Sequence, residues 1–152
     1  MNTELCEFCT FEENGVIVGL TDQVVNVVAL RQLVDEVLSS LRAGTIHHDD
    51  PVVNDISTEH IVSANRSQLR AMISRLMTIV VDNSEHNVIH VSAKTIGKVT
   101  LMHIRNSHVE FTSAIAQLLR GTEPLAESLG GCVTVSSNRM YGLCLVFTFL
   151  NH

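Results

Sequence analysis

Tryptophan is absent, tyrosine occurs once, and aromatic residues make up only 4% of the 152. Without aromatic faces the chain has no platform for stacking bases or sugars. Cations are also in short supply. Ten Lys and Arg stand against sixteen Asp and Glu, for a formal net charge of −6. A surface that neutralises nucleic-acid phosphates is normally basic, so no nucleic acid is expected as a partner. No apolar run approaches the roughly 20 residues that cross a bilayer, and no membrane contact by this chain itself is expected. The opening stretch to Gly15 carries glutamates before any basic residue, unlike a secretory signal. Four cysteines are too few for a disulfide framework in a chain this long, which makes a reducing cytoplasm the expected location. The two prolines, Pro51 and Pro124, mark no linker, and there is neither an internal repeat nor a low-complexity tract.

The 45% of apolar residues can fill a sizeable core, and the length suits one domain. Gly15–Leu20 is a short apolar run between turn formers and reads as a strand. Leu30, Leu33, Val34, Val37, Leu38 and Leu41 repeat at helical spacing, which predicts a helix over about 27–43 closed by Gly44. Val52-Val53 and His60–Ser63 are β-prone and could pair as a hairpin across Asn54, Asp55 and Ser57. Asn65 is a suitable N-cap for a second helix carrying Leu69, Met72, Ile73, Leu76, Ile79, Val80 and Asn83 along one stripe. Asn87–Thr95 alternates, turns at Gly97-Lys98 and returns over Val99–Asn106. Phe111–Leu119 is helix-like, with Phe111, Ile115, Leu118 and Leu119 on one side, and Pro124 suits the first turn of a short helix. Val133–Val135 and Leu143–Leu150 close the chain as two strands.

Strands outnumber helices and fall in adjacent pairs, without the strict alternation that a parallel doubly wound fold requires. The pattern predicts an α+β two-layer α/β sandwich whose sheet is covered on one face by helices.

The same order of elements resembles the ATP-binding catalytic domain of sensor histidine kinases, within the wider gyrase, heat-shock chaperone and MutL ATPase superfamily. Val24-Val25-Asn26 ahead of the first helix is similar to that family's opening segment. Ser63-Ala64-Asn65 followed by Leu69 resembles its "x-a-D, then r-L" helix entry, with Asn for Asp. Gly130–Ser137 resembles "G-G-x-I-x-V-x-S", and Gly142 with the last strand resembles its ending. The resemblance runs from about Val24 to Leu150. It implies a mixed sheet of about five strands under about three helices. It also divides the chain into residues 1–23, an N-terminal segment read as the remnant of a preceding helical dimerisation domain, and 24–152, the kinase-like ATPase domain.

The family's chemistry depends on an N-box, N-L-L-x-N-A-x-K, whose second Asn holds the magnesium of Mg-ATP. The ungapped register puts Arg75, Ile79 and Asp82 where the family has the first Asn, the metal Asn and the Lys. A gapped register makes Asn83 the metal ligand instead. Magnesium needs hard oxygen ligands, which Ile79 lacks, and a carboxylate at the Lys position repels polyphosphate. The "D-x-G-x-G" box that recognises adenine falls on Asn106, His108 and Glu110, or on Arg105, Ser107 and Val109. Both glycines are gone in either register. Only 23 residues separate Asn106 from Gly130, and they hold one glycine, Gly121, so the glycine-rich lid is missing.

A degenerate member of the family is therefore expected, with no catalytic residues, no metal ligands and no cofactor. It would act through protein partners: dimerisation helices, a response regulator or another kinase. A homodimer through upstream helices, and a place as the cytoplasmic part of a larger membrane-bound sensor, follow from the same resemblance. Two alternatives stay open. One is an active catalytic domain that binds Mg-ATP through Asn83 and Asn106. The other is a phosphotransfer adaptor on the same fold. Cys6-Glu7-Phe8-Cys9 is half a zinc site at most, and His47-His48-Asp49-Asp50, His86 and His90 lack a converging ligand set. The family's phosphorylatable histidine lies on its dimerisation domain, so none of the eight histidines here inherits that role.

Overall fold

A computed structural model describes residues 24–44, 51–84, 88–107, 109–138 and 142–152. The expected strand at Gly15–Leu20, the Cys6/Cys9 pair, His47–Asp50, His86 and His108 lie outside the described residues. In chain order the elements are β1 (Asn26–Ala29), α1 (Leu30–Gly44), β2 (Val52–Asn54), β3 (Ile61–Ala64), α2 (Arg66–Asp82), β4 (Ile89–Ile96), β5 (Val99–Asn106), α3 (Ser113–Arg120), α4 (Glu123–Ser128), β6 (Cys132–Asn138) and β7 (Gly142–Leu150).

Five strands form one mixed sheet in the order β2-β4-β5-β7-β6, and β1 with β3 forms a separate pair. Within the large sheet β2 runs parallel to β4, and the other neighbours are antiparallel. Side chains alternate in and out along each strand. Ile89, Val91, Met102, Ile104, Leu145, Phe147 and Phe149 are buried on one face, beneath the helices. The opposite face carries His90, His103, Arg105 and Val146, which are half-buried or exposed. This is the two-layer α+β sandwich that the sequence predicts.

α1 buries Leu30, Leu33, Val34, Val37 and Leu38, the stripe set by its apolar spacing. α2 buries eight side chains, and its N-cap Asn65 accepts a hydrogen bond from the Gln68 N–H at 2.9 Å. That side-chain acceptor satisfies one of the four orphan donors of the first turn.

Three local expectations are corrected. The first helix starts at Leu30 and not near residue 27. Val27 and Val28 are β-branched and pair with Ser63 and Val62, so they are drawn into strand β1. The segments at 52–54 and 61–64 do not form a hairpin. Each pairs elsewhere, β2 with β4 and β3 with β1, and the loop between them folds inward to bury Ile56 completely. Asn54 secures that loop: its Nδ2 donates to Asp35 Oδ1 at 2.9 Å and to the Arg31 carbonyl at 3.2 Å. Thirdly, α3 begins at Ser113 after the Thr112 cap, so Phe111 precedes the helix and is exposed, as is Leu118 on its outer side.

The double glycine after α4 has two separate physical roles. Gly130 adopts φ +74° and its N–H donates to the Glu127 carbonyl, while the Gly131 N–H reaches back to Ala126. This 5→2 and 6→1 pair closes the helix in a left-handed cap. A Cβ at Gly131 would overlap the Thr148 carbonyl on β7, so α4 can leave for β6 only through a residue without a side chain. Gly131→Ala is expected to cost about 3 kcal/mol through overpacking against backbone. For a chain of this size that lowers the melting temperature by roughly 6–12 °C. A variant melting within a degree of the parent would show that the close approach is not required.

Candidate functional site

The burial of Leu69, Met72, Ile73, Leu76, Met77 and Val80 fixes the rotation of α2. At 100° per residue, Ser74, Arg75 and Thr78 must then face away from the sheet, with Ile79 at the edge of the buried stripe. Arg75, Thr78 and Ile79 line a groove of about 320 Å³ whose other wall is Leu118 of α3 with Gly121 and Thr122. Ile79 is 6% exposed and Leu118 is 52% exposed. The Thr78 hydroxyl donates to the Ser74 carbonyl at 2.8 Å, an i−4 bond within its own helix. Arg75 Nη1 approaches the Gly121 carbonyl at 3.5 Å. The groove is therefore apolar on its floor, with one cation at its edge.

The joint between α3 and α4 closes one end. Only Gly121 and Thr122 separate the two helices. Thr122 is 2% exposed, and its Oγ1 donates to the Leu119 carbonyl at 2.6 Å while its own carbonyl accepts from Ala126. The backbone N–H groups of Gly121 and Thr122 thus close α3, and the Thr122 carbonyl opens α4. Sequence reasoning missed Thr122, because an isolated threonine between glycine and glutamate carries no burial signal.

Asn83 and Asn106, the two candidate nucleotide contacts, lie at the same end of the fold, beyond this groove. Asn83 is the C-cap of α2: its Nδ2 donates to the Ile79 carbonyl at 2.7 Å, and its backbone N–H donates to the carbonyls of Val80 and Val81. Asn106 ends β5 on the helix-covered face and is 1% exposed. Its Nδ2 donates to Ser84 Oγ at 2.8 Å. Arg105 points to the opposite face, so of the two registers considered for this segment only the one with Asn106 faces the helices. Val109 is buried, whereas Ser107 and Glu110 are exposed. Asp82 is exposed in the last turn of α2.

Among the described residues, no group of three or more His, Cys, Asp or Glu could hold a metal ion. His90 Nδ1 stands 3.8 Å from Asp55 Oδ2 at the sheet edge, without a third ligand. Nor is any helix among the described residues long and apolar enough to cross a membrane. On the uncovered sheet face His103 is held below its ordinary value of 6.5, first by burial and then by the positive charges of Lys94 and Arg105.

No protein-family model matches the chain, and no curated protein matches it in sequence. Solved structures do match in shape. The histidine kinase AdeS of Acinetobacter baumannii superposes with a TM-score of 0.71 at 11% identity, over 86% of this chain and 68% of AdeS. A histidine kinase from Burkholderia phymatum gives 0.69 at 17% identity, over 86% and 72%. The ATP-binding domain of PrrB from Mycobacterium tuberculosis gives 0.64 at 17% identity, over 86% and 98%. At such identities the likeness is one of fold: this chain has the fold of histidine kinase catalytic domains.

The geometry separates the two asparagines energetically. Asn106→Ala removes a bond made in the interior and strands part of its surroundings, at about 2 kcal/mol. Asn83→Ala removes an exposed cap and costs less than about 1 kcal/mol. Urea unfolding of the two variants should give that order, and equal losses would mean that Asn106 is not held as described. For His103 the folded chain takes up a proton less readily than the unfolded one. Protonation of the unfolded state therefore erodes stability as pH falls below 6.5. His103→Gln should lose less melting temperature than the parent between pH 6.5 and 5, and parallel curves would refute this.

Proposed function

We propose that this chain is a histidine kinase-like ATPase domain of a two-component signalling protein, and that it works through protein contacts without ATP hydrolysis. The observation that carries the reading is Ile79. It lines the α2 groove, and in the ungapped register of the sequence it takes the place of the family's magnesium-binding asparagine. Magnesium demands near-octahedral oxygen coordination, and an aliphatic side chain offers no ligand. The α3–α4 joint supports the same reading. A lid that grips phosphate needs a glycine-rich loop feeding a helix N-terminus. Here two residues join the helices, and Glu123 places a carboxylate in the first turn of α4, where it repels an anion.

The partners this reading implies are a pair of dimerisation helices, a response regulator or another kinase, met on the cytoplasmic side of a larger sensor. Fold likeness supplies the class of partner and not its identity. A second reading, Mg-ATP bound through Asn83 and Asn106, is favoured by the nearness of the two amides at the end of α2, where Ser84 follows Asn83 and bonds to Asn106.

Thermal melting with and without Mg-ATP decides between them. A ligand with a dissociation constant near 0.1 mM would add about 1.4 kcal/mol at 1 mM, several degrees for a chain of this size. The expected shift is below about 1 °C. A rise of several degrees with Mg-ATP that is lost in Asn106→Ala would establish the second reading.

A further inference from the structure

We propose that the cavity on the outer side of the first turns of α2 binds a phosphate group. Arg66 and Arg70 grip it, and Asn26, Ser67 and Ser74 supply further donors. The proposal is independent of whether the domain binds nucleotide, since Arg70 lies roughly 14 Å along the helix from Ile79.

Asn26, Arg66, Ser67, Arg70, Ala71 and Ser74 line the cavity, which measures about 570 Å³. That is the volume of a small-molecule site, yet every lining residue except Ala71 is polar and none is a carboxylate. In a chain of net charge −6 this concentration of donors is local. Two rungs join α1 to α2 beside it. In the first, Arg66 Nη2 stands 2.7 Å and 2.8 Å from the two carboxylate oxygens of Glu36, which anchors the guanidinium and leaves Nη1 and Nε over. In the second, one turn further along both helices, Arg70 Nη2 donates to Ser40 Oγ at 3.0 Å. A neutral hydroxyl thus stands opposite Arg70 where the first rung has a charge. Among the described residues no carboxylate lies within ion-pair distance of Arg70, and its buried Nε has no acceptor. A bound oxyanion supplies both the missing charge and the missing acceptor.

The remaining donors select the kind of oxyanion. Asn26 Oδ1 accepts from the Arg66 N–H at 3.1 Å, which orients the amide and leaves its NH2 as a donor. The Ser67 and Ser74 hydroxyls make no hydrogen bond among the described residues. A carboxylate has only two oxygens, and a single guanidinium satisfies both, as Arg66 does for Glu36. Two guanidinium groups, two hydroxyls and an amide call for more acceptors than that. A phosphate monoester presents three strong acceptor oxygens and close to two negative charges at neutral pH. It can take Arg70 in a two-point grip and still reach the hydroxyls. The rest of the cavity is polar apart from Ala71, which suits a small hydroxylated group carried on the ester oxygen.

The test is calorimetric titration of the full chain with inorganic phosphate and with glycerol 3-phosphate. Malonate serves as a dianion without phosphate, and about 0.15 M salt screens diffuse attraction. Both phosphates should bind saturably, at least about tenfold tighter than malonate. Arg70→Gln should weaken them at least about tenfold, as expected for one lost hydrogen bond between charged groups. Arg120→Gln removes an exposed arginine of α3 and should leave both affinities unchanged. Circular dichroism confirms the fold of each variant. If Arg70→Gln does not fold, Ser67→Asp decides, because a carboxylate in the first turn favours the helix while it repels phosphate. Tighter binding of the ester supports the site and assigns it a phosphorylated small molecule, whereas tighter binding of inorganic phosphate supports it with the free anion as ligand. Titrations without saturable binding, malonate bound as well as the phosphates, or equal losses in Arg70→Gln and Arg120→Gln would overturn it.

Discussion

Leu69, Met72, Ile73, Leu76, Met77 and Val80 are kept from water against the covered face of the sheet, and that exclusion orients α2. Each fully buried side chain of this kind contributes roughly 1.5–3 kcal/mol. Rotating the helix by one residue would expose several of them at once, at a cost comparable with a domain's whole stability of about 5–15 kcal/mol. The helical period then leaves no freedom elsewhere. With the stripe facing inward, Arg75 and Thr78 must line the groove and Ile79 must close its floor. The character of the site is thus a by-product of the core.

The sheet imposes a second constraint. β5 and β7 pair over eight positions, from Val99↔Leu150 to Asn106↔Leu143. That register carries Asn106 to the end of the sheet beside Ser84, and it fixes which face every β5 side chain meets. Phe147 and Phe149, two apart on β7, stack at 5.1 Å on the covered face and fill the layer under the helices. At the far side the double glycine lets α4 press onto β7 before turning into β6. The α3–α4 joint is two residues long, and Thr122 is buried in it.

Much of the architecture was legible in the order of residues. The stripes of α1 and α2, the Asn65 cap, the Gly97 turn and the Gly130-Gly131 pair each have a local physical cause and appear where the sequence predicts them. What failed was pairing. Val52–Asn54 and Ile61–Ala64 are short, β-prone and close together, which favours a hairpin on local grounds. Each instead found a partner distant in sequence, because the eight-residue β4 offers β2 a continuous ladder and β1 lies ready beside β3. Leu118 failed for a related reason: it is apolar and one step from Leu119, yet α3 is too short to bury more than one flank.

The sequence by itself determined the periodicities, the caps and turns, the fold class and the concentration of negative charge in the first 23 residues, since all of these depend on neighbours along the chain. Only the tertiary structure decided that Asn106 and not Arg105 faces the helices, that Val52–Asn54 pairs with β4 and not with Ile61–Ala64, and that Ile79 of α2 shares a groove with Leu118 of α3. Those outcomes rest on strand register and helix rotation, which are set by contacts between residues far apart in the chain and leave no trace in any local stretch of it.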